Sequence, residues 1–347
     1  MLKVILRHAR TLMRNRAARS FLFLFALFPS ADALTQPAYP DQIRQLLERD
    51  STTIVITDSG LGGLSVCADL EALFRNSQAI RGVRLVFVNA LPDLAYTYNS
   101  MASIEEQARV FDGVLTSIST TVHPDAILIA CNTLSALYPK TAFARNPAIP
   151  VISIIDVGSK MIAERARASK STQVVIFGTP STIASGIYQE KLSAFGIDHD
   201  RIVAQPCKLL ESEIQADPNS DLVNSLVETY VDETMEKIST KASGRLSVGL
   251  CCSHYGYSTE AFRQSLRQKV GKRFELLNPN KAMVALFNVP KRKSAKTTRI
   301  SVEVLSRVPL TDQEVQSIAS ALAGTSRRTA EALRHYQLRT DLFPLKR

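Results

Sequence analysis

The sequence predicts an α/β fold of parallel strands divided between two domains. Short apolar, β-rich runs alternate with longer stretches whose apolar residues recur at helical spacing, the pattern of βαβ units. At 347 residues and 45% hydrophobic content, the chain can bury a large core, and its length favours roughly two domains. Each half also contains one strand leading into a turn and helix, and one strand ending at a cysteine. That echo is architectural rather than a residue repeat.

Taken in order, Leu34 to Ser51 reads as an amphipathic lead-in. Apolar or β-branched runs then predict strands at Thr53 to Thr57, Val83 to Val88, Ala126 to Ala130, Pro150 to Ile154, Gln173 to Phe177, Arg201 to Ala204, Leu246 to Leu250 and Phe274 to Leu277. Helical spacing predicts Gly63 to Arg75, Ile104 to Ser119, Val157 to Ala168, Thr182 to Phe195, Leu222 to Thr240 and Glu260 to Val270 between them. After Pro290 the pattern weakens to a basic loop, a strand at Arg299 to Leu305 and one helix from Asp312 to about Tyr336.

The N-terminus differs in kind. Lys3, Arg7, Arg10, Arg14, Arg16 and Arg19 precede the apolar run Phe21 to Phe28, and Ala31-Asp32-Ala33 offers an A-x-A cleavage site. This predicts a secretory signal over 1–33, cut after Ala33, and a periplasmic or secreted protein. The alternative is a basic extension on a cytoplasmic protein. The apolar run is far shorter than the roughly 20 residues a spanning helix needs, so no stable membrane anchor is expected. The segment carries six cations against Asp32, so its removal lowers the formal +10 by five. Lys291, Arg292, Lys293, Lys296 and Arg299 have no interleaved aromatics and read as a solvated loop, not a nucleic-acid surface.

The five cysteines are odd in number and sparse, which argues against a disulfide framework. No C-x2-C pair is present and Cys252-Ser253-His254 supplies only part of a tetrahedral site, so no metal is expected. Cys67, Cys207 and Cys251 read as core residues. Cys131 and Cys252 instead follow strands directly and sit among small polar residues, where ligands collect in open α/β sheets. Two thiols facing one ligand suggest proton transfer.

The turn Asp58-Ser59-Gly60-Leu61-Gly62-Gly63-Leu64-Ser65 converts the first strand into a helix. Its glycines permit a tight turn and close backbone approach, and the helix N-terminus favours an anion such as a carboxylate. It has neither the P-loop ending nor the G-x-G-x-x-G spacing. An Asp at a strand's carboxyl end can hydrogen-bond a substrate ammonium or a nearby thiol. Simple turn chemistry at the glycines, helix capping by Asn132 and Thr133, buried structural cysteines and an interior His254 are the competing readings.

Together, Asp58 to Ser65, Ala130-Cys131-Asn132-Thr133, Gly178-Thr179-Pro180-Ser181-Thr182-Ile183 and Cys252-Ser253-His254-Tyr255 resemble, in that order, the motifs of the aspartate/glutamate racemase superfamily, the glutamate racemases most of all. The resemblance spans about Thr53 to Met283. It implies two pseudo-symmetric, flavodoxin-like domains with parallel sheets and an interdomain active site. The first would comprise 52–153 plus about 258–289, the second 154–257, leaving 34–51 as lead-in and 290–347 as a basic loop and helical extension. It further implies cofactor-independent inversion of an amino acid's α-carbon, most simply of glutamate. Cys131 and Cys252 would be the two bases, assisted by Asp58 and His254. Ser59, Tyr98, Asn132, Thr133, Thr182 and Ser253 would bind the substrate.

The chain departs from the family at Thr97-Tyr98-Asn99, where Pro-Tyr-Gly is usual, and at Gly256, where proline usually follows the tyrosine. Aspartate or another amino acid therefore stays open as substrate, and so does an exported amino-acid-binding protein without turnover. A homodimer is compatible with the sequence. If the chain is exported, remodelling or salvage of D-amino acids fits better than supply of D-glutamate for peptidoglycan.

Overall fold

The computed structural model describes residues 39–77, 80–238, 244–288 and 297–344. The expected leader, residues 34–38 of the lead-in, and Lys291, Arg292, Lys293 and Lys296 lie outside them. The first stretch runs α1 (Tyr39–Leu47), β1 (Ser51–Asp58), α2 (Leu64–Ser77), β2 (Gly82–Asn89), α3 (Ile104–Thr121), β3 (Ala126–Ile129), α4 (Asn132–Leu137), β4 (Val151–Ser153) and α5 (Ile154–Ala166). It continues through β5 (Gln173–Gly178), α6 (Pro180–Ala184), α7 (Ile187–Ala194), β6 (Ile202–Pro206), α8 (Leu210–Ala216), α9 (Asp221–Lys237), β7 (Leu246–Cys251), α10 (Thr259–Val270) and β8 (Phe274–Leu277). After α11 (Pro279–Ala285) come β9 (Arg299–Ser306), α12 (Asp312–Ala323), α13 (Arg327–Arg334) and β10 (Gln337–Leu338).

Two all-parallel sheets result, ordered β10-β9-β2-β1-β3-β4 and β6-β5-β7-β8. Strand alternation explains why both faces are covered. On β1, Ile54 and Ile56 join one core with Leu85, Phe87 and Leu128, while Val55 joins another with Val86, Val88 and Ile127. The second sheet repeats this: Val175, Phe177, Val248 and Leu250 face one core, Val174 and Ile176 the other. Near-continuous apolar runs are what such doubly covered strands require. The two-lobed α/β expectation holds.

Three expectations change. The run Phe274–Leu277 pairs with β7, so α10 and β8 belong with the second sheet and the chain returns to the first lobe at Pro279, not near 258. There Met283 and Phe287 enter the first lobe's core. The expected helix Thr182 to Phe195 is two helices, because Gly186 adopts φ +68° between them. The expected helix from Asp312 to Tyr336 likewise breaks after Ala323, and Ser326 caps a new start by accepting from Thr329 N.

The C-terminal segment is part of the first lobe. All eight residues of β9 pair with β2, and the Arg84 guanidinium grips Glu303 with two bonds of 2.7 and 2.9 Å across the pair. Val304, Val315, Ile318, Leu322 and Leu333 complete the core on that face.

Candidate active site

Strand ends of both lobes converge on one cavity of about 270 Å³. The first lobe contributes Asp58, Ser59, Tyr98, Cys131, Asn132 and Thr133, and the second Thr182, Cys252, Ser253 and His254. Every candidate residue named from the sequence lines this cavity.

Local structure aims each group. Asp58 ends β1 and the glycine turn follows, lying hard against the second lobe. A Cβ on Gly62 would stand 2.3 Å from Ser253 Oγ and 2.7 Å from His254 N, so only glycine fits there. Cys131 caps α4 in extended backbone, and Cys252 does the same for the 3-10 turn Ser253–Gly256. Backbone N–H groups of Leu134 and His254 thereby approach the respective sulfurs and favour thiolate.

Burial opposes them. It is the main cause holding the Cys131 thiol up at about 12 and the Cys252 thiol well above its ordinary value. Asp58 also raises Cys131, and the charges of Glu211, Asp58 and Cys131 all raise Cys252. Ser59 Oγ lies 3.3 Å from Cys131 Sγ and pulls the other way. Burial thus favours the neutral thiol at both sulfurs, and a substrate ammonium beside them would ease ionisation.

Asp58 is buried and its carboxyl is raised from 3.8 to about 6 by desolvation, against the pull of Ser253, Gly60 and Cys131. His254 is pushed down to about 4 by burial and is a neutral imidazole. Its Nδ1 stands 3.9 Å from Cys252 Sγ and its Nε2 2.9 Å from Gln215 Oε1.

Four buried polar atoms lining the cavity have no hydrogen-bond partner: Asp58 Oδ2, Glu211 Oε2, Tyr98 Oη and Asn132 Nδ2. Two carboxylate oxygens suit an ammonium, while an amide donor and a phenol suit a carboxylate. Tyr188 Oη donates to Asn132 Oδ1 at 2.7 Å and so turns the amide nitrogen to its free position. Thr133 Oγ1 lies 3.2 to 3.3 Å from the hydroxyls of Thr179, Ser181 and Thr182, joining the lobes by an adaptable donor cluster. Among the described residues, no group of three or more His, Cys, Asp or Glu could hold a metal ion. No helix described is long and apolar enough to cross a membrane. All five cysteines are free and buried, with Cys67, Cys207 and Cys251 in the cores as expected.

Glu211, Gln215 and Glu314 also line the cavity. The sequence motifs missed all three. The only available signal was the i, i+4 spacing of Glu211 and Gln215, which puts both on one face of α8.

A family model described as Asp/Glu/Hydantoin racemase matches residues 54–287. The glutamate racemase of Aquifex pyrophilus is 29% identical over 203 residues, 58% of this chain and 70% of that protein. That of Hydrogenobaculum sp. (strain Y04AAS1) is 27% identical over 247 residues, 70% and 84% respectively. The crystal structure of glutamate racemase from Campylobacter jejuni superposes with a TM-score of 0.56 at 21% identity, covering 79% of this chain and 98% of its own. The structure from Aquifex pyrophilus gives 0.54 at 23% identity, covering 78% and 95%. These structures share the fold.

Proposed function

The chain belongs to the Asp/Glu/hydantoin racemase family, and we propose that it interconverts the L and D forms of glutamate by a two-thiol, cofactor-independent proton transfer. The observation that carries this reading is a pair of buried thiols, one from each lobe, lining a cavity whose unpartnered polar atoms match a zwitterion. The volume of about 270 Å³ falls just below the roughly 300–1,000 Å³ of drug-sized ligand sites and suits a small amino acid. Glutamate is favoured over other members because the relatives cited above are glutamate racemases.

An α-hydrogen beside a carboxylate is a very weak acid, so a base and an acid must stand on opposite faces. In one direction Cys131 gives its proton up toward Asp58, removes the α-hydrogen as thiolate, and Cys252 donates to the other face. In the reverse direction Cys252 is the base, with His254 Nδ1 taking its proton. Asn132 and Tyr98 bind substrate carboxylate and stabilise the charge that develops on it. The hydroxyls of Ser59, Thr133, Thr182 and Ser253 complete the binding set.

Circular dichroism of L-glutamate incubated with the purified chain tests the activity. The signal decays to zero for a racemase and stays constant for a binding protein. Aspartate in the same assay decides substrate preference. We also propose export, with the mature protein starting at Leu34, which N-terminal sequencing of secreted material tests.

A further inference from the structure

Gln215 joins the active site to a part of the chain that lies outside the family-matched residues 54–287. Its Oε1 accepts from Leu61 N at 2.9 Å and faces His254 Nε2 at 2.9 Å, while its Nε2 donates to Glu314 Oε1 at 2.5 Å. The two ends of this amide are therefore told apart by independent partners: a backbone N–H demands the oxygen, and a carboxylate demands the NH2. Glu314 is itself held. Its Oε2 accepts from Thr311 N at 2.9 Å and Thr311 Oγ1 at 2.8 Å in a capping box that starts α12.

An amide oxygen only accepts, so His254 Nε2 must carry the ring proton, and Nδ1 then turns a lone pair toward Cys252 Sγ. We propose that Glu314 is a positioning residue by which the C-terminal segment fixes His254 in its Nε2–H tautomer, so that Nδ1 can take the Cys252 thiol proton. The step moves one proton from Sγ to Nδ1 and leaves a thiolate and an imidazolium. The Glu314 carboxylate, reached through Gln215, supports that positive charge. Were Gln215 to turn over, its NH2 would face Nε2, the proton would move to Nδ1, and the ring would have no acceptor for the thiol.

The kinetic part of this inference rests on the racemase reading; the tautomer part does not. The experiment uses the full chain with 15N-labelled histidine, comparing wild type, E314A, E314Q and T311A. Ring 15N shifts report which nitrogen of His254 is protonated. Wild type and T311A should show Nε2–H, and E314A and E314Q a substantial Nδ1–H population, because in E314Q the amide oxygen stays with Thr311 and the NH2 faces that of Gln215. T311A weakens the same helix cap but keeps the carboxylate, so matching changes in T311A and E314A would overturn the proposal, as would an unchanged tautomer in E314A. Kinetically, E314A should lower kcat on the order of tenfold to a hundredfold with little change in KM, below the 10²–10⁴ of a direct acid–base group. The primary deuterium isotope effect should rise for the one enantiomer whose α-hydrogen goes to Cys252, and a symmetric rise would count against the proposal. If wild type racemises nothing, the proposed activity fails while the ring shifts still decide the tautomer.

Discussion

Replacing Asp58 with Asn should make the protein more stable and less active. Asp58 is 1% exposed, its Oδ2 has no partner, and its carboxyl is raised from 3.8 to about 6 by desolvation. A carboxyl whose folded pKa exceeds its unfolded one binds more protons when folded, so it favours the fold at low pH and this support is lost as pH rises through about 6. Near pH 7.5 the ionised group costs on the order of 3 kcal/mol, at about 1.4 kcal/mol for each pH unit between 3.8 and 6. D58N keeps the shape and removes the charge. Paired urea titrations at about pH 7.5 and about pH 4 should find D58N more stable by roughly 2–3 kcal/mol at the first and nearly equal at the second. Turnover should fall by about 10²-fold or more, as for loss of an acid–base group. A D58N chain no more stable than wild type at pH 7.5, or a gap that persists at pH 4, would refute the argument that this carboxylate is held charged against its burial for function.

Other consequences follow from the same geometry. The acid limb of kcat/KM should lie at about 6, where Asp58 protonates and can no longer accept the Cys131 proton, and D58N should flatten that limb in a pH–rate profile. G62A should push the first-lobe turn away from Ser253 and His254, costing roughly 1–3 kcal/mol in a denaturation midpoint and at least about tenfold in kcat. I318A, in the core between the C-terminal helices and the first sheet, should cost about 2–5 kcal/mol in the same melts. A neutral I318A would mean that the C-terminal segment is not part of the first lobe's core.

How much was legible depended on whether the determinant was local. Strands such as Thr53 to Thr57 and Gln173 to Phe177 were readable because double coverage makes them largely apolar, and Cys131 and Cys252 because each lies at the end of its strand. The sheet that Phe274–Leu277 joins is fixed by its pairing with β7, a choice its own four residues do not encode. The break at Gly186 turned on one positive φ inside a helical pattern. Glu211 and Gln215 sit in a segment without a motif, and Glu314 reaches the site only because β9 and α12 add to the edge of a sheet that starts some 250 residues earlier. The helix start at Asp312 was legible, and in the structure Thr311 and Glu314 form its capping box. What the same carboxylate does with its second oxygen became visible only in the assembled fold.

The two-thiol reading is tested most directly by proton NMR of L- and D-glutamate in D2O under reducing conditions, with wild type, C131S and C252S. The account predicts that wild type replaces the α-proton of both enantiomers by deuterium and that each single variant loses racemisation in both directions, because inversion needs a base and an acid on opposite faces. Racemisation at the wild-type rate in either variant would contradict it.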